Sequence, residues 1–114
     1  MIRRFLLSLA MLLCISCSSV YAIESGQEWF IRSIASDFTP LFERCESGLC
    51  RLYGFEDIVS WEDARDPQVV YWSVAVVILP NNTDQYIAKI YVYRSQMGKR
   101  PRVMEVSSPF VWSR

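Results

Sequence analysis

The residues that could do chemistry in this chain are four cysteines, twelve acidic and twelve basic side chains, because the sequence contains no histidine. Without histidine, Ser-His-Asp and Cys-His nucleophile activation and imidazole metal ligands are excluded. The side chain most often used for proton transfer near neutral pH is also missing. The sequence therefore predicts a protein that is not an enzyme and that uses neither a cofactor nor a metal.

The pair Cys45 and Cys50 is separated by four residues. One of the four, Gly48, can adopt the positive φ that a tight reversal needs. Redox-active pairs normally have two intervening residues at a helix N-terminus, whereas this pair follows a helical pattern. Two thiolates without histidine or further cysteines cannot complete a tetrahedral zinc shell. The spacing predicts a structural disulfide.

Carboxylates are concentrated in one segment, and they are Glu56, Asp57, Glu62, Asp63 and Asp66. They could supply the acid and base of a glycosidase, a mechanism that needs no histidine. Calcium binding could use the same oxygens, although the alternating Asp-x-Asp-x-Asp spacing of an EF-hand loop is absent. Both interpretations stay open as alternatives to a solvated acidic segment.

Residues 1–22 have the features of a cleaved signal peptide. Two arginines precede an apolar run over residues 5–15, which is shorter than the roughly 20 residues of a membrane span. We expect export to a bacterial periplasm, or secretion, with cleavage after Ala22. Cys17 partly resembles a lipoprotein acylation site, and lipidation there would instead tether the protein to a membrane.

Charge is distributed unevenly over the remaining chain. Acidic residues predominate before Pro67 and basic residues after it, while the overall balance is close to neutral. A chain without a basic face is not expected to bind nucleic acid. The separation of charge favours a protein partner with a complementary distribution.

A helical pattern follows the signal segment. Apolar residues recur every three or four positions from Phe30 to Phe42, which predicts one amphipathic stripe. Ser25-Gly26-Gln27-Glu28 fits a capping box at its start. Pro40 predicts either a kink or a break followed by a second helical turn. Another helix start is predicted at Ser60-Trp61-Glu62-Asp63, where carboxylates suit the helix dipole.

The second half has the composition of a sheet. Its β-branched and aromatic runs, together with a turn cluster at residues 80–84, predict a long hairpin with flanking strands. The predicted strands span residues 51–55, 69–79, 85–94 and 102–106. We expect an α+β fold over residues 23–114, a single small domain with an N-terminal helix packed on a three- or four-stranded antiparallel β-meander in two layers.

One strand of the hairpin is apolar on both faces, and a single helix cannot cover both sides of a sheet. An uncovered face rich in tyrosine favours recognition, unless residues 110–112 and the acidic segment fold over it. The basic hairpin near residue 99 could grip an anionic partner or protect an edge strand from aggregation. The residues predicted to bind a partner are Tyr71, Tyr91, Tyr93, Arg94, Lys99, Arg100 and Arg102.

These observations predict a small exported, non-enzymatic protein that binds another envelope or secreted protein. It would act as an accessory or chaperone subunit of an envelope assembly or secretion system, or as an inhibitor or immunity protein. The alternative is a periplasmic binding module for a small apolar or glycan ligand in the cleft between helix and sheet. Membrane contact is expected only with lipidation at Cys17, and a homo-oligomer through the sheet is a further hypothesis.

Overall fold

The computed structural model describes residues 26–113. The predicted signal peptide, its Cys17 and the capping residue Ser25 lie outside the described residues. The chain forms a helical segment followed by an antiparallel sheet, which confirms the α+β class. None of the helices in this range is long and apolar enough to cross a membrane.

The helical segment is interrupted once. Its elements are α1 (Gly26–Ile34), a 3-10 helix (Ala35–Phe38) and α2 (Thr39–Glu46). Pro40 lies in the first turn of α2, where its missing N–H removes no helical hydrogen bond. The chain therefore stops and restarts. The apolar stripe continues across the break, because Phe30, Ile34 and Phe38 are all buried in one cluster.

Five strands form one antiparallel sheet. They are β1 (Cys50–Glu62), β2 (Val69–Pro80), β3 (Ile87–Gln96), β4 (Arg102–Val106) and β5 (Phe110–Val111). The strand order is β1-β2-β3-β4, and β5 also pairs with β3. The sheet has one strand more than the predicted maximum, because residues 110–111 pair with β3 instead of extending β4.

The first strand was predicted to span residues 51–55, but β1 extends to Glu62 and is the longest strand of the sheet. The prediction of a helix start at residues 60–63 is wrong, because residues 60–62 belong to this strand. Val59 pairs with Ser73, and Trp61 pairs with Tyr71. The side chains of Val59 and Trp61 therefore lie on one face with the period of two that defines a strand. A register shift between Leu52 and Gly54 shows that β1 contains a bulge beside this glycine.

The register of β2 and β3 corrects the predicted faces. Tyr93 lies opposite Trp72, and Tyr71 lies opposite Arg94. Residues that face each other across neighbouring strands share a side of the sheet. Tyr91 and Tyr93 are therefore on the face that contacts the helical segment, and the prediction that they share an uncovered face with Tyr71 is wrong.

The core joins the helical segment to this face through stacked aromatic rings. The Phe30 ring lies parallel to Trp72 with 4.6 Å between centroids, and it meets the edge of Tyr93 at 5.4 Å. The Trp72 Nε1–H donates to Ser95 Oγ (3.2 Å), whose hydroxyl donates to the Val70 carbonyl (2.9 Å). The polar atoms inside this core are therefore hydrogen-bonded, which removes the cost of burying them unpaired.

The opposite face is covered at one end by the C-terminal segment. Trp112 contacts Tyr53 with 5.2 Å between ring centroids, and both rings adjoin Tyr86. Tyr86 and Trp112 pack on a small buried cluster that includes Ala75 and Val77. Of the predicted covering segment, Trp112 packs on this face, whereas Phe110 and Val111 pair with β3 within the sheet.

The predicted disulfide is confirmed. Cys45 of α2 and Cys50, the first residue of β1, are bonded. Gly48 in the intervening turn has φ +94°, the left-handed conformation that glycine adopts most readily. The bond fixes the end of the helical segment to the edge of the sheet.

We expect the double variant Cys45→Ser/Cys50→Ser to lose about 2 kcal/mol of unfolding free energy, because closing so short a loop restricts the unfolded chain by that amount. Urea unfolding of oxidised protein measures the loss. Reductant should destabilise the wild type by the same amount and leave the double variant unchanged, and equal stabilities of the two proteins under oxidising conditions would contradict a stabilising role.

Candidate binding groove

A groove lies between the helical segment and β4, on the face that carries Tyr91. Its first part has a volume of about 550 Å³. The residues that line it are Asp37, Phe38, Tyr91, Tyr93, Arg100, Pro101, Arg102, Val103 and Val106. Four residues of the predicted partner-binding set are therefore brought together here, and they are Tyr91, Tyr93, Arg100 and Arg102.

A second depression of about 380 Å³ adjoins the first and shares Asp37, Phe38 and Tyr91 with it. Its further lining residues are Pro40, Leu41, Arg44, Val76, Ile78, Ile87, Ala88, Lys89 and Pro109. We call the two parts together the edge groove. Apolar side chains predominate along it. The basic residues are Arg100 and Arg102 in the first part, and Arg44 and Lys89 in the second.

A bulge in β4 places two valines along the groove. Val103 pairs with Tyr93 and Val106 pairs with Tyr91, while Met104 is the extra residue between the paired positions. In a regular strand, residues three apart point to opposite faces. The additional residue brings Val103 and Val106 to the same face, and each keeps 48% of its surface exposed.

Asp37 connects the core to the hairpin that joins β3 and β4. The Tyr93 hydroxyl donates to Asp37 Oδ2 at 2.9 Å, and the Arg100 guanidinium donates to Oδ1 at 2.8 Å. The same guanidinium donates to Ser36 Oγ at 2.7 Å. Arg100 is therefore held by the helical segment, and its ion pair is partly exposed.

Tyr93 is part of the buried core. Only 1% of its surface is exposed, so its ring is not accessible to a partner. Burial of the side chain, followed by the hydrogen bond to Asp37, raises the pKa of the Tyr93 hydroxyl far above its ordinary value. The hydroxyl therefore stays protonated and donates to the carboxylate throughout the neutral range.

Tyr71, Arg94 and Lys99 do not line the edge groove. The Tyr71 hydroxyl donates to Asp63 Oδ2 at 2.6 Å, and its ring stacks on Trp61 with 5.7 Å between centroids. This hydrogen bond is the main reason that the pKa of Asp63 is lowered and that of Tyr71 is raised. Arg94 and Lys99 line a separate small pocket at the base of the β3–β4 hairpin.

Sequence reasoning missed three apolar residues of the groove, Phe38, Val103 and Val106. Phe38 belongs to the apolar stripe of the helical segment, whose spacing predicts a core residue. For the strand that contains the two valines, the sequence predicts only the bounds. The available signal was the composition of β4, in which Val103, Met104 and Val106 are apolar while Arg102 and Glu105 are charged.

The edge groove combines an apolar surface with four basic side chains. Within residues 26–113, no group of three or more Cys, Asp or Glu residues could hold a metal ion. Searches against protein families, curated proteins and solved structures find no match to this chain.

Replacement of Tyr93 by phenylalanine tests the link between Asp37 and the core. The pKa of Tyr93 is higher in the folded state than in the unfolded chain. The protonated hydroxyl therefore contributes its full stabilisation below about pH 10, the ordinary tyrosine pKa. This contribution is lost as the pH rises further. We expect Tyr93→Phe to be less stable at pH 7 by about 1 kcal/mol and to lose less stability than wild type between pH 9 and 11. Denaturant unfolding measures both, and an unchanged alkaline slope would contradict this role.

Proposed function

We propose that this protein is exported and binds an extended segment of another envelope or secreted protein in the edge groove. The observation that carries the proposal is the position of β4. All five of its residues are exposed, and it lies at the end of the strand order β1-β2-β3-β4, on an edge of the sheet. The groove lies directly beside this strand.

The backbone of β4 supports addition of a partner strand. An edge strand has N–H and C=O groups that point away from the sheet and have no strand to pair with. A partner segment can pair with these groups, while its alternate side chains enter an adjoining pocket. The backbone contacts would provide affinity, and the groove would provide selectivity.

The side chains of the groove define the segment that fits. Phe38, Val103 and Val106 offer an apolar surface, which favours burial of apolar partner residues. Asp37 is already engaged by Arg100 and Tyr93, so it adds little free negative charge. We infer that the partner segment has apolar residues flanked by acidic ones.

Features of β4 also limit indiscriminate pairing. The bulge at Met104 and the charged side chains of Arg102 and Glu105 are devices that protect sheet edges from aggregation. A segment that pairs here must therefore gain enough from the groove to offset the irregular edge. This requirement favours a specific partner.

The proposal includes the two-layer arrangement, in which the helical segment forms one layer and the sheet the other. The groove exists because the helical layer stops short of β4. Export depends on the predicted signal peptide. An accessory or chaperone subunit would use the groove to hold a segment of its assembly partner, and an inhibitor or immunity protein would use it to hold a segment of a toxin.

We expect Val106→Asp to weaken partner binding at least tenfold, which corresponds to about 1.4 kcal/mol. The added carboxylate would lie on the apolar wall and next to backbone groups that the partner must approach. Quantitative capture from envelope extract, followed by titration of the recovered partner, measures the effect. Stability should change by less than about 1 kcal/mol, because the side chain is half exposed.

Val59→Asp is the matched control, because Val59 is also an exposed valine of an edge strand (57%) but lies on β1, away from the groove. It should bind the partner as wild type does. Equal binding by both variants would place the partner elsewhere on the molecule and contradict the proposal.

A second candidate function is binding of a small apolar or glycan ligand in the same groove. The observation in its favour is Tyr91, whose hydroxyl has no hydrogen-bond partner in the described part of the chain, although partial burial raises its pKa. The larger part of the groove, about 550 Å³, is also within the range typical of ligand sites. A free donor beside an apolar surface suits an amphipathic ligand.

Thermal unfolding with palmitate or a chitin oligosaccharide tests this candidate. A ligand that binds only the folded state raises the melting temperature, by roughly 5 °C when its concentration is about ten times the dissociation constant. We expect Val103→Asp to abolish that shift and Val59→Asp to keep it. If palmitate fails to stabilise the wild type, the apolar ligand class is contradicted. If the chitin oligosaccharide fails, the glycan class is contradicted.

A further inference from the structure

A small basic pocket lies at the base of the β3–β4 hairpin, and it adjoins the edge groove at Arg100 and Arg102. Its volume is about 180 Å³. The lining residues are Arg94, Gln96, Lys99, Arg100 and Arg102. Four of the five are cationic, and the fifth offers an amide; no acidic side chain contributes to the lining.

Two of these cations oppose each other directly. Arg94 of β3 pairs with Arg102 of β4 in the antiparallel register. Like charges in directly opposed positions destabilise a sheet, because their Cβ atoms are only about 5 Å apart. The register thus places the two arginines at opposed positions on one face of the sheet, where their like charges disfavour the pairing.

The repulsion is only partly compensated within the described residues. The positive charge of Arg94 contributes to lowering the pKa of Asp63. The Asp63 carboxylate, however, already accepts a hydrogen bond from the Tyr71 hydroxyl. Arg100 is held by Asp37. Arg102 and Lys99 form no ion pair in residues 26–113, and so the pocket has excess positive charge.

We propose that this basic pocket binds one phosphate-type oxyanion between Arg94 and Arg102, with Lys99 as a third cationic contact. Guanidinium groups present paired N–H donors that match phosphate oxygens, and lysine adds a compact charge. A volume of 180 Å³ is below the roughly 300–1,000 Å³ of sites for whole small molecules. The pocket therefore suits inorganic phosphate or a terminal phosphate carried by a lipid or sugar.

The pocket shares Arg100 and Arg102 with the lining of the edge groove, whereas Arg94, Gln96 and Lys99 line the pocket and not the groove. Arg94 and Arg102 share the face of the sheet that carries Tyr71, whereas the edge groove is on the face that carries Tyr91. An anion bound between the two arginines would remove their repulsion and strengthen the pairing of β3 with β4. Occupation of the pocket should therefore stabilise the folded protein.

Thermal unfolding at low salt and neutral pH tests the proposal, with sodium phosphate compared with sodium chloride at equal ionic strength. We expect phosphate at about ten times its dissociation constant to raise the wild-type melting temperature by roughly 5 °C more than chloride does. The matched variants are Arg102→Gln, within the pocket, and Arg51→Gln, an exposed arginine near the other end of the sheet.

Arg102→Gln should have two effects of opposite sign. Without phosphate it should melt at a higher temperature than wild type, because the like-charge pair is gone. With phosphate it should show no shift beyond that of chloride. Arg51→Gln should respond to phosphate as wild type does. A phosphate shift in wild type that equals the chloride shift, or one that persists in Arg102→Gln, would overturn the proposal.

Lys99→Gln provides a second variant in the exposed turn, and it should at least halve the phosphate-specific shift. Sedimentation with phosphatidylcholine vesicles, with or without phosphatidic acid, identifies the source of the phosphate. Binding to the acidic vesicles that Arg102→Gln abolishes supports a lipid headgroup, whereas a phosphate shift without vesicle binding supports a soluble anion. Absence of both responses in wild type would overturn the site.

Discussion

The stack of Phe30 on Trp72 is the interaction on which the described structure depends. It joins α1 to the central strand of the sheet, and Tyr93 completes it from the neighbouring strand. Aromatic contacts of this kind bury a large apolar area and also fix relative orientation. The polar ends of the two sheet residues are satisfied by Ser95 and Asp37, so the core tolerates little rotation of either ring.

The edge groove follows from this core. Asp37 is fixed by Tyr93 from within the core and by Arg100 from the hairpin, which sets where the 3-10 helix lies relative to β4. The bulge at Met104 then directs two valines into the space that remains. The proposed binding surfaces therefore share one support, the β3–β4 hairpin, and Arg100 and Arg102 line both of them.

Local patterns in the sequence predicted elements well and faces poorly. The Val69–Leu79 run and the Cys45–Cys50 pair identified β2 and the disulfide because their signals are contained within short segments. The faces depend on which residue of β2 meets which residue of β3, and the turn between Pro80 and Ile87 decides this. Here even positions of one strand meet odd positions of the other, so Tyr91 and Tyr93 lie under the helical segment. At the end of β1, Glu62 and Asp63 after Ser60 have the pattern of a helix start. This pattern led to a helix prediction, although the apolar residues Val59 and Trp61 recur with the period of two that is typical of a strand.

The exposed contact between Arg100 and Asp37 makes the width of the groove sensitive to the surrounding electrolyte. The helical segment and β4 are bridged at one end of the groove by this charged contact, whose members are both well solvated. Salt screens such pairs strongly, since the Debye length falls from about 30 Å at 0.01 M to about 8 Å at physiological ionic strength. The ion pair therefore restrains the hairpin against the helical segment less strongly at higher ionic strength. The aromatic contacts at the base of the groove carry no charge and are not screened in this way.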